Sequence, residues 1–402
     1  MEMNEAIFSE LFAISERAKE RAKKREKKRS MYFELEAQLP KSKAMHCIAG
    51  LRGVGKTVVM LQLANLFENS IYTSSEELLL RSVSFYDFIN YCKKKGFVNI
   101  FLDEVHLYSN WPLELKAAFD EEGAKITFSG SSALALREGS ADLSRRVVFH
   151  FLPPLSFREY LLLKYNVVLP KVSVEDLVDF DKRKALITAI APYANRVDDY
   201  LAYGALPFSL EEENSQPLYE GILSKIVRLD LAHLKKIDVN HVESVYKLLG
   251  FIATSSPDKI SYNSIANALN KNMYVVMEII RLLNEIGLLM CILSKGGSGK
   301  TTRKEYKLLL LPPFRSVISR LRSAEVQKGA LREEFFVNHV GAGNVKYIKT
   351  DRKRRTPDYV YKNWVFEVGG MTKDKKGGDY VVADGLPIDV EKIPLALFGL
   401  LY

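Results

Sequence analysis

The stretch Gly50-Leu51-Arg52-Gly53-Val54-Gly55-Lys56-Thr57 constrains this chain more than any other. It follows a short apolar run, Met45 to Ala49, and precedes an apolar segment at helical spacing that begins at Val58. Strand, glycine loop and helix in that order make a phosphate-binding loop. Glycines let the backbone curl so that successive N–H groups point inward, and the helix adds the positive end of its dipole. In such a loop residues 50–58 cradle a nucleoside triphosphate, Lys56 reaches the outer phosphates and the Thr57 hydroxyl ligates Mg²⁺. ATP with Mg²⁺ is therefore the expected ligand pair.

A loop of this kind needs an acid on a neighbouring strand. Val98-Asn99-Ile100-Phe101-Leu102-Asp103-Glu104 supplies one, an apolar run ending in two carboxylates about 45 residues downstream. Asp103 is expected to hold Mg²⁺ through water and Glu104 to polarise the water that attacks the γ-phosphate. A third strand, Lys125 to Phe128, ends in Ser129-Gly130-Ser131-Ser132.

Further on come Leu143-Ser144-Arg145-Arg146, Pro153-Pro154-Leu155-Ser156-Phe157-Arg158-Glu159-Tyr160-Leu161 and Tyr203-Gly204-Ala205-Leu206-Pro207. With the loop, the FLDEVH strand end and FSGSS, these motifs span residues 45–210. They resemble a prokaryotic branch of AAA+ ATPases that carries a winged helix and a restriction-endonuclease-like domain after the ATPase core. The resemblance implies an α/β P-loop NTPase domain with a parallel sheet. It gives Ser129 or Ser131 the part of a γ-phosphate sensor. It makes Arg145 or Arg146 an arginine finger, acting on its own site or on that of a neighbouring subunit in a homo-oligomer.

The net charge of +9 is concentrated in two places. Residues 16–29 hold nine basic and three acidic residues, and residues 346–355 hold six basic and one acidic, leaving the remainder close to neutral. The first run follows an apolar stripe (Ile7, Phe8, Leu11, Phe12, Ile14) in a segment that reads as helical over 4–30. It is either a solvated helix or a basic arm for nucleic acid or a neighbouring subunit. Cys47, Cys92 and Cys291 stand far apart, with no zinc-ligand spacing, as in a reducing cytosol. No apolar run approaches a membrane span and the N-terminus has no signal-peptide core, so a cytoplasmic protein is expected.

The remaining sequence reads as two further domains. Residues 211–312 are helical and end in a helix-turn-helix outline, Ser264–Leu269 and Tyr274–Ile286 closed by Gly287. Two strands follow, Leu288–Leu293 and Glu305–Leu311, around a basic tip. That tip, residues 294–301, imitates a second phosphate loop, but its first position is Ser294 and a strand follows it, so no helix dipole is available. The wing of a winged helix is the expectation, with Lys295, Lys300, Arg303 and Lys304 suited to a DNA or RNA backbone, or else a winged helix that only packs domains together.

Residues 313–402 form an α+β, PD-(D/E)xK-like domain. A two-residue hairpin at Lys362-Asn363 pairs 361 with 364 and 359 with 366, setting Asp358 opposite Glu367. The lysine of that nuclease pattern is replaced by Gly369, and Lys373 lies close enough to swing back over Gly369-Gly370. Nuclease activity is expected to be lost or changed, while Arg352-Lys353-Arg354-Arg355 holds nucleic acid without cutting it. The expected division is thus an N-terminal segment 1–40, an ATPase domain 41–210, a helical and winged-helix domain 211–312 and the nuclease-like domain 313–402.

Overall fold

The computed structural model describes residues 3–130, 143, 145–212, 214–231, 241–295, 306–349, 356–375 and 377–402. Ser131, Ser132, the tip residues Lys300, Arg303 and Lys304, and the run Arg352–Arg355 lie outside the described residues. The chain separates into two compact units, Met1–Pro154 and Leu155–Tyr402. Residues 1–40 belong to the unit that carries the glycine loop.

Unit 1 is an α/β layer structure around a five-stranded, all-parallel sheet. Its strands are β1 (Met45–Ala49), β2 (Ser70–Ser74), β3 (Asn99–Asp103), β4 (Lys125–Gly130) and β5 (Val147–Phe151), in the order β2-β3-β4-β1-β5. β1 is buried along its whole length, as the apolar run requires of a central parallel strand. The helices are α1 (Glu5–Lys23), α2 (Ser30–Gln38), α3 (Lys56–Ala64), α4 (Ser75–Leu80), α5 (Phe85–Lys94) and α6 (Trp111–Asp120). One apolar cluster joins Phe8 and Leu11 of α1, Phe88 and Ile89 of α5, and Ile100 and Leu102 of β3. Burial of each such side chain stabilises by about 1.5–3 kcal/mol.

The N-terminal helix is shorter than the sequence suggests. The segment 4–30 breaks after Lys23, because Arg29 is drawn into the protein and α2 starts afresh at Ser30. The charged run is also not solvated on all sides: Ala18, Lys19 and Ala22 are buried against the body. Lys19 Nζ donates to the Ser70 carbonyl at 3.4 Å, and the Asn65 amide donates to the Lys19 carbonyl at 3.0 Å. The helices α4 and α5 are separated where Ser82 takes a left-handed φ of 53° and Ser84 caps α5. The Ser84 hydroxyl accepts the Asp87 N–H at 3.0 Å, satisfying an orphan donor of the new helix.

In unit 2 the helices Tyr262–Leu269 and Met273–Ile286 are followed by an antiparallel pair, β6 (Leu289–Ile292) and β7 (Lys307–Leu310). Gly287 ends the second helix with φ 88°, the left-handed cap that glycine adopts without strain. A second five-stranded sheet has the order β12-β11-β10-β9-β8, with β8 (Val345–Tyr347), β9 (Tyr359–Tyr361), β10 (Trp364–Gly369), β11 (Tyr380–Ala383) and β12 (Lys392–Pro394). β8, β9 and β10 run antiparallel; β11 and β12 add in parallel. The hairpin register is Tyr361 to Trp364, Val360 to Val365 and Tyr359 to Phe366. Helix Lys328–Val340 covers this sheet through Phe336, whose ring meets those of Tyr359, Phe366 and Phe398.

Candidate nucleotide site

The loop lies at the carboxyl end of β1, where an open parallel sheet places its ligand. Gly53 and Gly55 have φ of 88° and 97°, which side-chain-bearing residues rarely adopt. Gly50 is fixed by space instead: a Cβ there would come within 2.5 Å of the Leu152 carbonyl oxygen. Lys56 opens α3 and is almost fully buried, its ammonium donating to the carbonyls of Gly50 at 3.1 Å and Leu51 at 3.3 Å. The side chain thus arches over the loop it would use to hold phosphate. Leu51 and Val54 are buried, while Arg52, Gly53, Gly55, Thr57 and Val58 are partly open to solvent.

Asp103 is the centre of the polar network. Leu102 pairs with Phe128, so one step further brings Asp103 beside Ser129, and the Ser129 hydroxyl donates to Asp103 Oδ1. Thr57 Oγ1 donates to Asp103 Oδ2 at 2.6 Å, and the Tyr72 hydroxyl donates to the same oxygen at 2.8 Å. Asp103 is only 2% exposed, so these three hydroxyls stand in for the water a buried carboxylate has lost. Burial, followed by the neighbouring Asp103 charge, pushes the Tyr72 phenol far above its ordinary range and keeps it a donor.

The Thr57 hydroxyl and the Asp103 carboxylate form a pair of hard oxygen donors that suits Mg²⁺. Among the described residues there is no cluster of three or more His, Cys, Asp or Glu that could hold a metal without further ligands. A cation here would therefore take the rest of its shell from water and phosphate, as Mg²⁺ does.

Glu104 follows Asp103 in a left-handed turn, φ 55° and ψ 41°. Its N–H donates to Ser129 Oγ at 3.3 Å, and its carboxylate lies 3.4 Å from the buried Nδ1 of His106. Thr57, Asp103, Glu104 and Ser129 are thus brought together around the loop, with Lys56 beside them.

Arg145 and Arg146 are not. β5 runs parallel to β1 with Met45 opposite Val147 and Ala49 opposite Phe151, and the Met45 N–H donates to the Arg146 carbonyl. Both arginines therefore stand at the amino end of the sheet, while the loop leaves its carboxyl end. A five-residue strand separates them, roughly 17 Å of rise. Neither guanidinium reaches the loop of its own chain, which corrects the expectation of a finger acting in cis. Arg145 is exposed; Arg146 forms a two-toothed ion pair with Asp120, at 2.7 and 3.1 Å.

Two contributors escape a reading of motifs. Tyr72 sits in the strand Ser70–Ser74, and only the pairing of β2 with β3 brings its hydroxyl to Asp103. Arg29 ends the basic run, yet is 5% exposed. Its guanidinium donates to the carbonyls of Val54 at 2.9 Å, Pro153 at 2.9 Å and Pro154 at 3.0 Å.

In unit 2, Asp358 and Glu367 occupy the expected neighbourhood, but their partners differ from those of a metal pair. Lys373 folds back so that its ammonium donates to Asp358 Oδ2 at 2.6 Å and to the Val368 carbonyl at 2.6 Å. Gly369 permits this, because a Cβ there would meet Lys373 Cδ at 2.0 Å. Glu367 is fully buried and accepts the Gly378 N–H at 3.2 Å.

Comparison with known proteins bears on the first of these sites. A family model described as "AAA domain" matches residues 42–161. An uncharacterized protein of Methanocaldococcus jannaschii, MJ1637, is 30% identical over 292 residues, covering 67% of this chain and 61% of that protein. A second one, MJ1544, is 23% identical over 250 residues, covering 59% of this chain and 52% of its own length. The chain thus spans between half and two thirds of these relatives. The Walker-type ATPase PABY2304 of Pyrococcus abyssi aligns with 72% of this chain and 94% of its own, at 13% identity and a TM-score of 0.42. The replication initiator DnaA, solved with AMPPCP and single-stranded DNA, covers 63% and 86% at 19% identity and a TM-score of 0.29. At these scores neither likeness bears on the chemistry. Residues 42–161, which hold the parallel sheet, the loop and the strand-end acid, are thus similar to an AAA domain.

Proposed function

We propose that this chain binds ATP with Mg²⁺ at Gly50–Val58 and hydrolyses it to ADP and phosphate, working as a switch or motor. The observation that carries the reading is the network joining Thr57, Asp103 and Ser129 beside the loop. On binding, Thr57 and Asp103 would exchange their mutual hydrogen bond for Mg²⁺ and its water. The ion supplies charge neutralisation at the β- and γ-phosphate oxygens. Lys56 would leave the carbonyls of Gly50 and Leu51 for the outer phosphates. Glu104 would accept a proton from the attacking water, with Ser129 holding the turn that aims it.

Arg145 or Arg146 completes this site only from a neighbouring copy, so turnover requires a homo-oligomer. Arg145, which is exposed, is the better finger; Arg146 would first have to leave Asp120. The outcome expected is phosphate release that rises faster than linearly with protein concentration. It disappears in Glu104→Gln, which still binds ATP. Undiminished release in that variant contradicts the assignment.

Coupling of turnover to DNA or RNA rests on the basic hairpin tip and on Arg352–Arg355. The run 16–29 gives it less support, since part of it is buried in unit 1. Loss of nuclease activity is the favoured reading of the C-terminal site, supported by the ammonium of Lys373 on the carboxylate of Asp358. Binding to labelled DNA and RNA at about 50 mM salt, with a steep fall on adding salt, tests the coupling. No binding to either removes it.

A further inference from the structure

We propose that Arg29 is a positioning residue for phosphate binding, setting the glycine loop from outside it. This rests on the reading of Gly50–Val58 as a nucleotide site. The guanidinium is buried and its fork spans three carbonyls: Val54 in the loop, and Pro153 and Pro154 in the segment after β5. A planar fork suits several fixed acceptors in a way a lysine ammonium does not.

The consequence for the loop follows from peptide geometry. In a planar trans peptide the C=O of Val54 and the N–H of Gly55 point in opposite directions. Holding the Val54 carbonyl toward Arg29 therefore turns the Gly55 N–H away from it. Among the described residues nothing accepts that N–H. It is the last loop amide before α3, and Gly55 itself, at φ 97°, is the residue most free to flip. Arg29 removes that freedom. The amide stays turned toward the site where phosphate would lie, and its orientation is set before the ligand arrives.

The anchor is itself well held. The Gln62 amide on α3 donates to the carbonyls of Arg25 at 2.8 Å and Lys27 at 3.2 Å, so the segment leading to Arg29 is tied to the helix that follows the loop. The end of the basic run thus serves the chain's own loop.

The test is titration of the 402-residue chain and of Arg29→Gln and Arg29→Lys with Mg–ATP, Mg–ADP and adenosine. Unfolding midpoints are recorded without nucleotide. Arg29→Gln is expected to weaken ATP and ADP about tenfold, the worth of one charge-assisted contact, and to leave adenosine unchanged. Arg29→Lys keeps the charge and guards against a variant that does not fold; it is expected to weaken ATP and ADP less than Arg29→Gln, again sparing adenosine. Folded variants that bind ATP and ADP as the parent does overturn the proposal, as does an equal loss for adenosine. A parent that binds no nucleotide overturns the function and this proposal together.

Discussion

Replacing Tyr72 by Phe removes one oxygen and nothing else from the network at Asp103. The lost bond is 2.8 Å long and ends on a carboxylate in a site 2% exposed. Hydrogen bonds to charged groups contribute about 1.5–3 kcal/mol, and a buried acceptor stripped of a donor loses toward the upper end. Asp103 Oδ2 retains Thr57, which favours the lower end. A loss of about 2 kcal/mol is therefore expected in the nucleotide-free protein. For a unit of this size that is about 4–8 °C in unfolding midpoint. Scanning calorimetry of parent and variant measures it. Repeating the scan with saturating Mg–ATP is expected to shrink the gap, because Mg²⁺-bound water then gives Asp103 a new donor. A midpoint within about 1 °C of the parent's, without nucleotide, refutes the placement of this hydroxyl.

Tyr72 also shows what a sequence can and cannot display. The loop and the hairpin of β9 and β10 were legible because each depends on neighbours within a few residues. Asp103 and Ser129 were legible as strand ends. Lys373 over Gly369 could be read as well, since four residues of slack after a glycine leave few other places for it. By contrast, Tyr72 matters only because β2 lies next to β3, and strand order is not written in local pattern. Arg145 and Arg146 look able to serve their own site until β5 is seen to run parallel beside β1, which moves them to the far edge. Arg29 was concealed by composition: in a run of nine basic residues nothing marks the one whose acceptors lie 25, 124 and 125 positions away.

Other perturbations follow from the same contacts. Gly369→Ala forces Lys373 off Asp358 and is expected to cost about 1–3 kcal/mol in denaturant unfolding. Lys373→Ala in the same chain relieves the clash, so the double variant loses less than the sum of the two, whereas strict additivity denies the contact. His46 and His150 lie in contact, ring nitrogens 2.8 Å apart, and burial followed by the His150 charge lowers His46 to about 4. The folded state then binds protons less readily than the unfolded chain, so stability is expected to fall as pH drops from 6.5 toward 4. His46→Gln flattens that slope in a midpoint-against-pH series; an unchanged slope would count against the pair. Arg145→Ala is expected to abolish the dependence of ATPase rate on protein concentration while preserving ATP affinity, and a fully active variant excludes it as the finger.

The claim on which the rest depends is that Gly50–Val58 is the chain's one nucleotide site and that the look-alike at 294–301 is not a second. Titrating Mg–ATP into the full chain by calorimetry measures this directly. One ATP per chain is expected, with none bound by Lys56→Ala and an unchanged stoichiometry in Lys300→Ala. Two ATP per chain, or binding that survives Lys56→Ala and is lost in Lys300→Ala, would contradict it.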